Sequence, residues 1–510
     1  MNRDKNIRLL SKVSVWDLIV IGGGASGLGA ALDAASRGMK VLLIEKYDFS
    51  KGTSSKSTKL IHGGVRYLKN AEFKLVRKAL HERYILKKNA PHLVQNKDFI
   101  IPIYNWINFF FYGIGLRLYD AISGKWSFGS TKFLNKKTTI EHLNSINTKS
   151  LKGGIKYKDG QFDDARFAIS LAHTIENVGG TVLNYMEYLS PRIENNSING
   201  IIANDKIDQK EFHLSSKYII NATGVFSNKL MMSITSQFKI KASRGTHVVV
   251  DRSFLNSQHA IMIPITIDGR VLFVIPWNNK TLIGTTDEET NEIDIDLKTP
   301  LTDIGFILEN VKNYLSSPPK KKDIKSVFTG LRPLVSNKDN SSTKELSRAH
   351  IIHESDDGII HMLGGKWTTY RLMGLEAIDC LLKDKTLQFG NSNTSSLRLF
   401  GFKDVVDFQD PLHVYGTELK RLKTYGAMVS ISNLIFISEA MIAYAIHEEM
   451  AINLEDILAR RTRCLFIDAK ETIKIAPKVA KIMASVLKMD DTWTTKQLDL
   501  FLPLASKYII

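Results

Sequence analysis

Cysteine is almost absent: Cys380 and Cys464 are the only two in 510 residues. Two thiols exclude a disulfide framework and a thiolate metal site, and they fit a reducing compartment. Long apolar runs are missing as well. No stretch reaches about 18 uninterrupted apolar residues, so no membrane span is expected. The opening "MNRDKNIRLLSKVSV" lacks the apolar core and small-residue cleavage site of a secretory signal. The expected location is therefore cytoplasmic, free or peripheral on the cytoplasmic face of a membrane. There is no internal repeat and no long low-complexity tract. Acidic residues are in short supply, 52 Asp and Glu against 69 Lys and Arg, which leaves a net charge of +17. That balance favours acidic partners, whether nucleic acid, anionic lipid or a phosphorylated small molecule, without choosing among them.

What is present is enough apolar material, 44% of the residues, to fill two or three cores. The chain opens with an alternation. "WDLIVIGGG" and "MKVLLIEK" read as buried strands, and "ASGLGAALDAASRG" between them as a helix, which makes a βαβ unit and a parallel sheet. "FKLVRKALHERYILKKNA" reads as a helix stopped by Pro91. "DDARFAISLAHTIENVGG" reads as a capped helix closed by glycine, followed by strands in "TVLNYMEYLSPRI" and "GIIANDK". "KYIINATG" resumes the buried-strand pattern, whereas "THVVVD", "RVLFVIPW" and "KTLIGTTD" point to a separate antiparallel layer. The expected fold class is α/β. A discontinuous Rossmann-type domain (1–95, 150–235 and 350–390) is joined by an antiparallel-sheet substrate domain (96–149 and 236–349) and a C-terminal α-helical domain (391–510).

One segment resembles a membrane element without being able to cross. "IYNWINFFFYGIGLRLYDAISGKW", Ile103 to Trp126, is aromatic and apolar but interrupted by Asn105, Asn108, Arg117 and Asp120. From Arg117 to Lys158 there are nine basic residues against Asp120 and Glu141. Such a stretch either dips into an anionic leaflet or is a core helix followed by a solvated loop.

The sharpest motif is Gly22, Gly24 and Gly27, a G-x-G-x-x-G set between a strand and a helix. The first glycine permits the turn, the second lets a pyrophosphate approach the backbone, and the third lets helix meet strand. Glu45 closes the second strand, where a carboxylate accepts hydrogen bonds from ribose. Two later strand ends, "IINATG" with Ala222, Thr223 and Gly224, and "GGKWTTYR" from Gly364 to Arg371, look like further contacts to a longer cofactor, which favours FAD over NAD.

Taken in order, "GGGASGLGAALDAASRG", "GTSSKSTKLIHGGVRYL", "DDARF", "NATG", "FVIPW…LIGTTD", "GLRPL", "GGKWTTYR" and "ILARRTR" closely resemble the FAD-dependent glycerol-3-phosphate dehydrogenase family. The resemblance covers nearly the whole chain. It implies a glycine-oxidase-like pair of FAD and substrate domains plus a helical cap. The implied reaction is oxidation of sn-glycerol 3-phosphate to dihydroxyacetone phosphate by hydride transfer to flavin N5, with electrons passed to membrane quinone. An oxidase using O2 is the runner-up. A basic nucleic-acid-modifying flavoprotein is the reading from another class, and the apolar cluster Trp106 to Tyr112 argues against it. The implied partners are glycerol 3-phosphate, membrane quinone and an anionic membrane surface, not nucleic acid; a homodimer is left open.

The resemblance also assigns residues. Arg66, Arg332 and Arg348, with Tyr67 beside them, are the candidates for holding the substrate phosphate, since a guanidinium grips phosphate oxygens in pairs, and Lys366 is expected to face the flavin or substrate. Thr53, Ser54, Ser55, Thr58, Lys59, Gly365 and Thr369 are expected at the cofactor, with Gly63 and Gly64 passing close to the ring. His247, expected to open a strand in "SRGTHVVVD", is the first choice of base because a histidine titrates near neutral pH. His62 is the competitor, expected to lie against the flavin. Arg332 is also expected to stabilise the developing alkoxide.

Overall fold

Two sheets carry the fold of the computed structural model, which describes residues 1–64, 72–195, 197–230, 238–336, 350–383 and 388–510. The first has five parallel strands in the order Ile359–Gly364, Lys210–Asn221, Trp16–Ile21, Val41–Ile44 and Thr181–Leu183, with His350–Glu354 antiparallel at one edge. All residues of "WDLIVI" and "VLLI" are buried. This follows from their place in a parallel sheet covered on both faces, where each large apolar side chain contributes about 1.5–3 kcal/mol. Helices Ala25–Ser36, Asp164–Asn177 and Tyr370–Leu381 share one apolar cluster with these strands. Asp163 caps the second of them, its carboxylate accepting from Arg166 N at 3.0 Å.

The "TVLNYMEYLSPRI" run divides at Tyr185, whose φ is +55°. Thr181–Leu183 joins the parallel sheet, while Met186–Glu194 pairs antiparallel with Ser197–Asp205.

The second sheet is mostly antiparallel. Lys239–Asp251 is paired with Lys280–Gly284, Glu288–Thr290 and Ile324–Ser336, and the sheet continues through Leu272–Trp277, Ala260–Ile263, Val94–Ile103 and Gly153–Phe162 to Leu60–Ile61. Its strands alternate in and out. Val248, Val250 and Ile100 face helix Leu301–Lys312, whereas Val249, Phe99 and Ile101 face the C-terminal helices. The expected boundary at residue 150 does not follow the sheets. Gly153–Phe162 pairs along its length with Val94–Ile103, because Ile155 and Tyr157 alternate with lysines in a pattern that glycine and aspartate obscure.

Helices Glu439–Glu448, Ala469–Leu487 and Asp491–Ser506 are the longest elements of the C-terminal region and pack against the second sheet. Helix Trp106–Ser123 lies on the same sheet's rim, with Gly113, Leu116 and Tyr119 turned inward. No helix among the described residues is long and apolar enough to cross a membrane.

Candidate active site

The site begins where strand Trp16–Ile21 ends and Gly22 turns the chain at φ +110°. A Cβ at Gly22 would lie 2.7 Å from the carbonyl oxygen of Ala222, and one at Gly27 would lie 1.9 Å from that of Gly22. Only glycine lets helix Ala25–Ser36 start so close to the strand. The amides and partial positive charge of its N-terminus therefore border the cavity. Glu45 accepts hydrogen bonds from Gly23 N at 2.6 Å and Tyr47 N at 2.9 Å, and burial pushes its carboxyl above the ordinary range.

From this point a cavity of about 620 Å³ runs between the two sheets. Its wall includes Gly22, Gly24, Glu45, Thr53, Ser54, Thr58, Ala222, Gly224 and Gly365, together with His62, His247, Arg332 and Lys366. Ser54 ties the wall together: its Oγ accepts from Ala25 N at 2.9 Å and its carbonyl oxygen from Trp367 Nε1 at 2.7 Å. Thr53 Oγ1 donates to the carbonyl of Leu331. A flavin dinucleotide fits this arrangement, with a positive helix end for pyrophosphate, a carboxylate for ribose and the turn Gly364–Trp367 at the far end.

Other expected residues stand behind the wall. Gly27 packs helix against strand, and Thr369 is buried with its hydroxyl donating to Lys366 O at 3.2 Å. Ser55 and Lys59, expected to reach the cofactor, turn into the core instead. Lys59 Nζ donates to Asp164 Oδ2 and to Ser55 O, both at 2.7 Å. The rings of Phe328, Phe466 and Trp277 stand 5.2, 5.4 and 5.6 Å from it. Burial lowers this ammonium to about 7 despite the Asp164 carboxylate beside it. Arg66, Tyr67 and Arg348 lie outside the described residues.

His247 sits inside strand Lys239–Asp251 rather than at its start, because the strand continues through Gly245. Its Nε2 is 2.9 Å from Thr58 Oγ1, and its ring stacks on Phe328 at 4.8 Å between centroids. Nδ1 is buried with no hydrogen-bond partner among the described residues. Burial first, then the charges of Lys59 and Arg332, hold this imidazole well below its ordinary pKa. Arg332 lies over Gly245, where a Cβ would come within 2.3 Å of its Nη2. It donates to Thr286 O at 3.0 Å, Thr285 Oγ1 at 2.9 Å and Asp287 Oδ1 at 3.2 Å. His62 lines the cavity, and its backbone amide is 3.3 Å from Thr368 Oγ1.

The seat for Arg332 has no counterpart in the sequence expectations. "LIGTTD" supplies it, and the signal was a carboxylate directly after two adjacent hydroxyl residues. Thr58 as partner of His247, and Asp164 as partner of Lys59, join residues more than 100 positions apart and had no local signature.

Comparison with known proteins bears on the family. Residues 17–376 match the FAD dependent oxidoreductase family, and residues 400–494 match the C-terminal domain of alpha-glycerophosphate oxidase. A mitochondrial glycerol-3-phosphate dehydrogenase of Bos taurus is 35% identical over 98% of this chain and 74% of its own length. Among solved structures, the glycerol-3-phosphate dehydrogenase of Bacillus halodurans complexed with FAD superposes with a TM-score of 0.80 at 25% identity, over 99% of this chain and 97% of that one. Glycine oxidase from Geobacillus kaustophilus shares the fold, with a TM-score of 0.56 at 17% identity over 74% of this chain and 97% of its own.

Proposed function

The chain belongs to the FAD-dependent glycerol-3-phosphate dehydrogenase family, and from that premise we propose that it oxidises sn-glycerol 3-phosphate to dihydroxyacetone phosphate in the cavity between its sheets. It is an FAD-dependent oxidoreductase. Bound FAD supplies the hydride acceptor. The protein supplies a base, an anchor for the phosphate dianion and a wall against water.

His247 is the base. The observation that carries this reading is the meeting of His247, Thr58 and Arg332, from three parts of the chain, on the wall that begins at Gly22. We assign the proton of the neutral ring to Nε2, donating to Thr58 Oγ1, because a buried N–H without an acceptor costs more than a bare lone pair. The basic lone pair of the neutral ring is then on Nδ1. A dianion entering the site offsets the charges of Lys59 and Arg332 and raises the basicity of the ring. Arg332 supports the developing alkoxide. Arg66, Tyr67, Arg348 and Lys366 anchor the phosphate, the first three on the family pattern alone. His62 is the competing base. Anaerobic addition of glycerol 3-phosphate should bleach the flavin absorbance while glycerol leaves it unchanged; no bleaching with either would overturn the reading.

We further propose that the electrons leave to a membrane quinone, with O2 as the second reading, favoured by the match to an oxidase C-terminal domain. Rapid turnover with a quinone and little peroxide is expected, and stoichiometric peroxide would reverse the choice. Helix Trp106–Ser123 supports the quinone reading, since Trp106, Ile107, Phe110, Phe111 and Ile114 are exposed on one side. Exposed Lys132, Lys136 and Lys137 follow it in sequence. Such a surface suits peripheral attachment to an anionic leaflet. The location proposed is the cytoplasmic face of a membrane; the relatives named mitochondrial make the mitochondrion the alternative, and cell fractionation decides between them.

A further inference from the structure

The loop that follows Glu45 carries more charge than its burial should tolerate. Asp48 and Lys59 are fully buried, and Lys51 and Lys56 nearly so. Burying charge is costly unless each group is paired. Asp164 pairs Lys59 and Asp296 pairs Lys56, and the remaining pairing comes from a short stretch of the C-terminal region. Arg461 donates to Asp48 from Nη1 at 2.6 Å and from Nη2 at 2.8 Å, and Arg460 Nε donates to the same carboxylate. Glu455 accepts from Lys51 Nζ at 2.7 Å and from Arg460 Nη1 at 2.6 Å. Arg463 Nη2 donates to Ser55 O at 2.9 Å and to Asp164 Oδ1 at 3.1 Å, while the other oxygen of Asp164 holds Ser57 and Lys59.

The backbone that presents these arginines is irregular. Asp456–Arg461 forms a π-helical turn, and Arg463 takes a left-handed conformation at φ +64°. Both cost more than regular helix and persist where the surroundings fix them. Here the result is that three guanidinium side chains, each at most 2% exposed, point at one loop. The residues between the anchored positions, among them Ser50, Thr53, Ser54 and Thr58, line the cavity. The loop lies in the segment that matches the oxidoreductase family, and its arginine anchors lie in the segment that matches the C-terminal domain.

We propose that Arg460, Arg461 and Arg463 are positioning residues for FAD: through Asp48, Asp164 and the Ser55 carbonyl they hold the cofactor loop in the shape that admits the dinucleotide. The C-terminal region thus sets cofactor affinity without touching the reacting atoms. The test is FAD titration of the full-length apoprotein, followed by flavin fluorescence, with the apoprotein melting temperature measured in parallel. Arg461→Met combined with Asp48→Leu replaces the bidentate pair by apolar groups, while Arg460 keeps its hydrogen bonds to Glu455 and Asp456; the double variant's melting temperature is read beside its FAD affinity. It should weaken FAD binding about tenfold or more, as loss of a supporting shell does. Arg463→Lys, which keeps a cationic donor, should bind FAD more tightly than Arg463→Met. Met483→Ala opens a cavity in helix Ala469–Leu487, which packs chiefly on helices Glu439–Glu448 and Asp491–Ser506. It should lower the melting temperature and leave FAD affinity within about twofold. Unchanged affinity in the double variant, or equal weakening in Met483→Ala, would overturn the proposal, the second result meaning that affinity merely follows overall stability.

Discussion

A side chain on a strand has two directions open to it, and the choice at residue 247 follows from its neighbours. Val248 and Val250 are committed to the core beneath helix Leu301–Lys312, so alternation sends His247 and Val249 to the opposite face. There the imidazole meets Thr58. His247→Asn should keep the flavin spectrum and slow substrate-driven flavin reduction by about 10²–10⁴-fold, the usual worth of a general base, as measured by stopped-flow absorbance. Thr58→Val should retain FAD and slow the same step less, because it removes the partner that fixes the tautomer. If His62→Asn gave the larger loss, the assignment of the base would pass to that residue. The residue types at this site were legible in the sequence, since "THVVVD", "GLRPL" and "GGKWTTYR" all border the cavity. Which way each side chain points was not legible. Lys59 is the clearest case, a cation with every outward sign of a ligand contact, turned inward by a carboxylate 105 positions away.

At the scale of elements, helix Trp106–Ser123 shows what an apolar run conceals. Its sequence is equally suited to a core and to a lipid surface, because aromatic residues fill positions all around the helix. Folding separates them: Gly113, Leu116 and Tyr119 pack inward, Phe109 leans on Phe133 at 5.1 Å, and Phe110 and Phe111 remain exposed. Phe110→Ser with Phe111→Ser should reduce sedimentation with anionic vesicles at all salt concentrations. Reversing charge at Lys132, Lys136 and Lys137 should reduce it mainly at low salt, where each basic residue near the surface contributes about 1 kcal/mol. Binding unaffected by either set would place the membrane contact elsewhere. The parallel strands were the most legible elements because both their faces are buried, which leaves uninterrupted apolar runs. Gly153–Phe162 was missed because its inward positions include Asp159, a buried carboxylate bound by Arg83 at 2.7 Å, where an apolar residue is expected.

The whole molecule buries several histidines in neutral form. Burial lowers His92 to about 3 and His361 to about 4, and holds His173 and His247 well below the ordinary value of 6.5. The unfolded chain takes up protons at these residues near pH 6.5, whereas the folded chain does not. Stability should therefore fall as pH drops from about 6.5 towards 4, by up to about 1.4 kcal/mol per pH unit for each histidine. Melting temperatures across that range check the slope, and a flat profile would mean that these rings are charged in the fold. Asp48, held down to about 2 by its two arginines against its own burial, adds its loss only at lower pH. The distance between those partners carries a last consequence, one of timing during synthesis. Asp48 and Arg461 are 413 positions apart, so at about 5–20 residues per second the loop waits roughly 20–80 s for its partner to be made. Until then Asp48 is a buried-type carboxylate without its arginines. The first 400 residues can build both sheets, but the cofactor cradle they enclose is finished by the final stretch of the chain, so the cofactor should load late, on a chain already near completion.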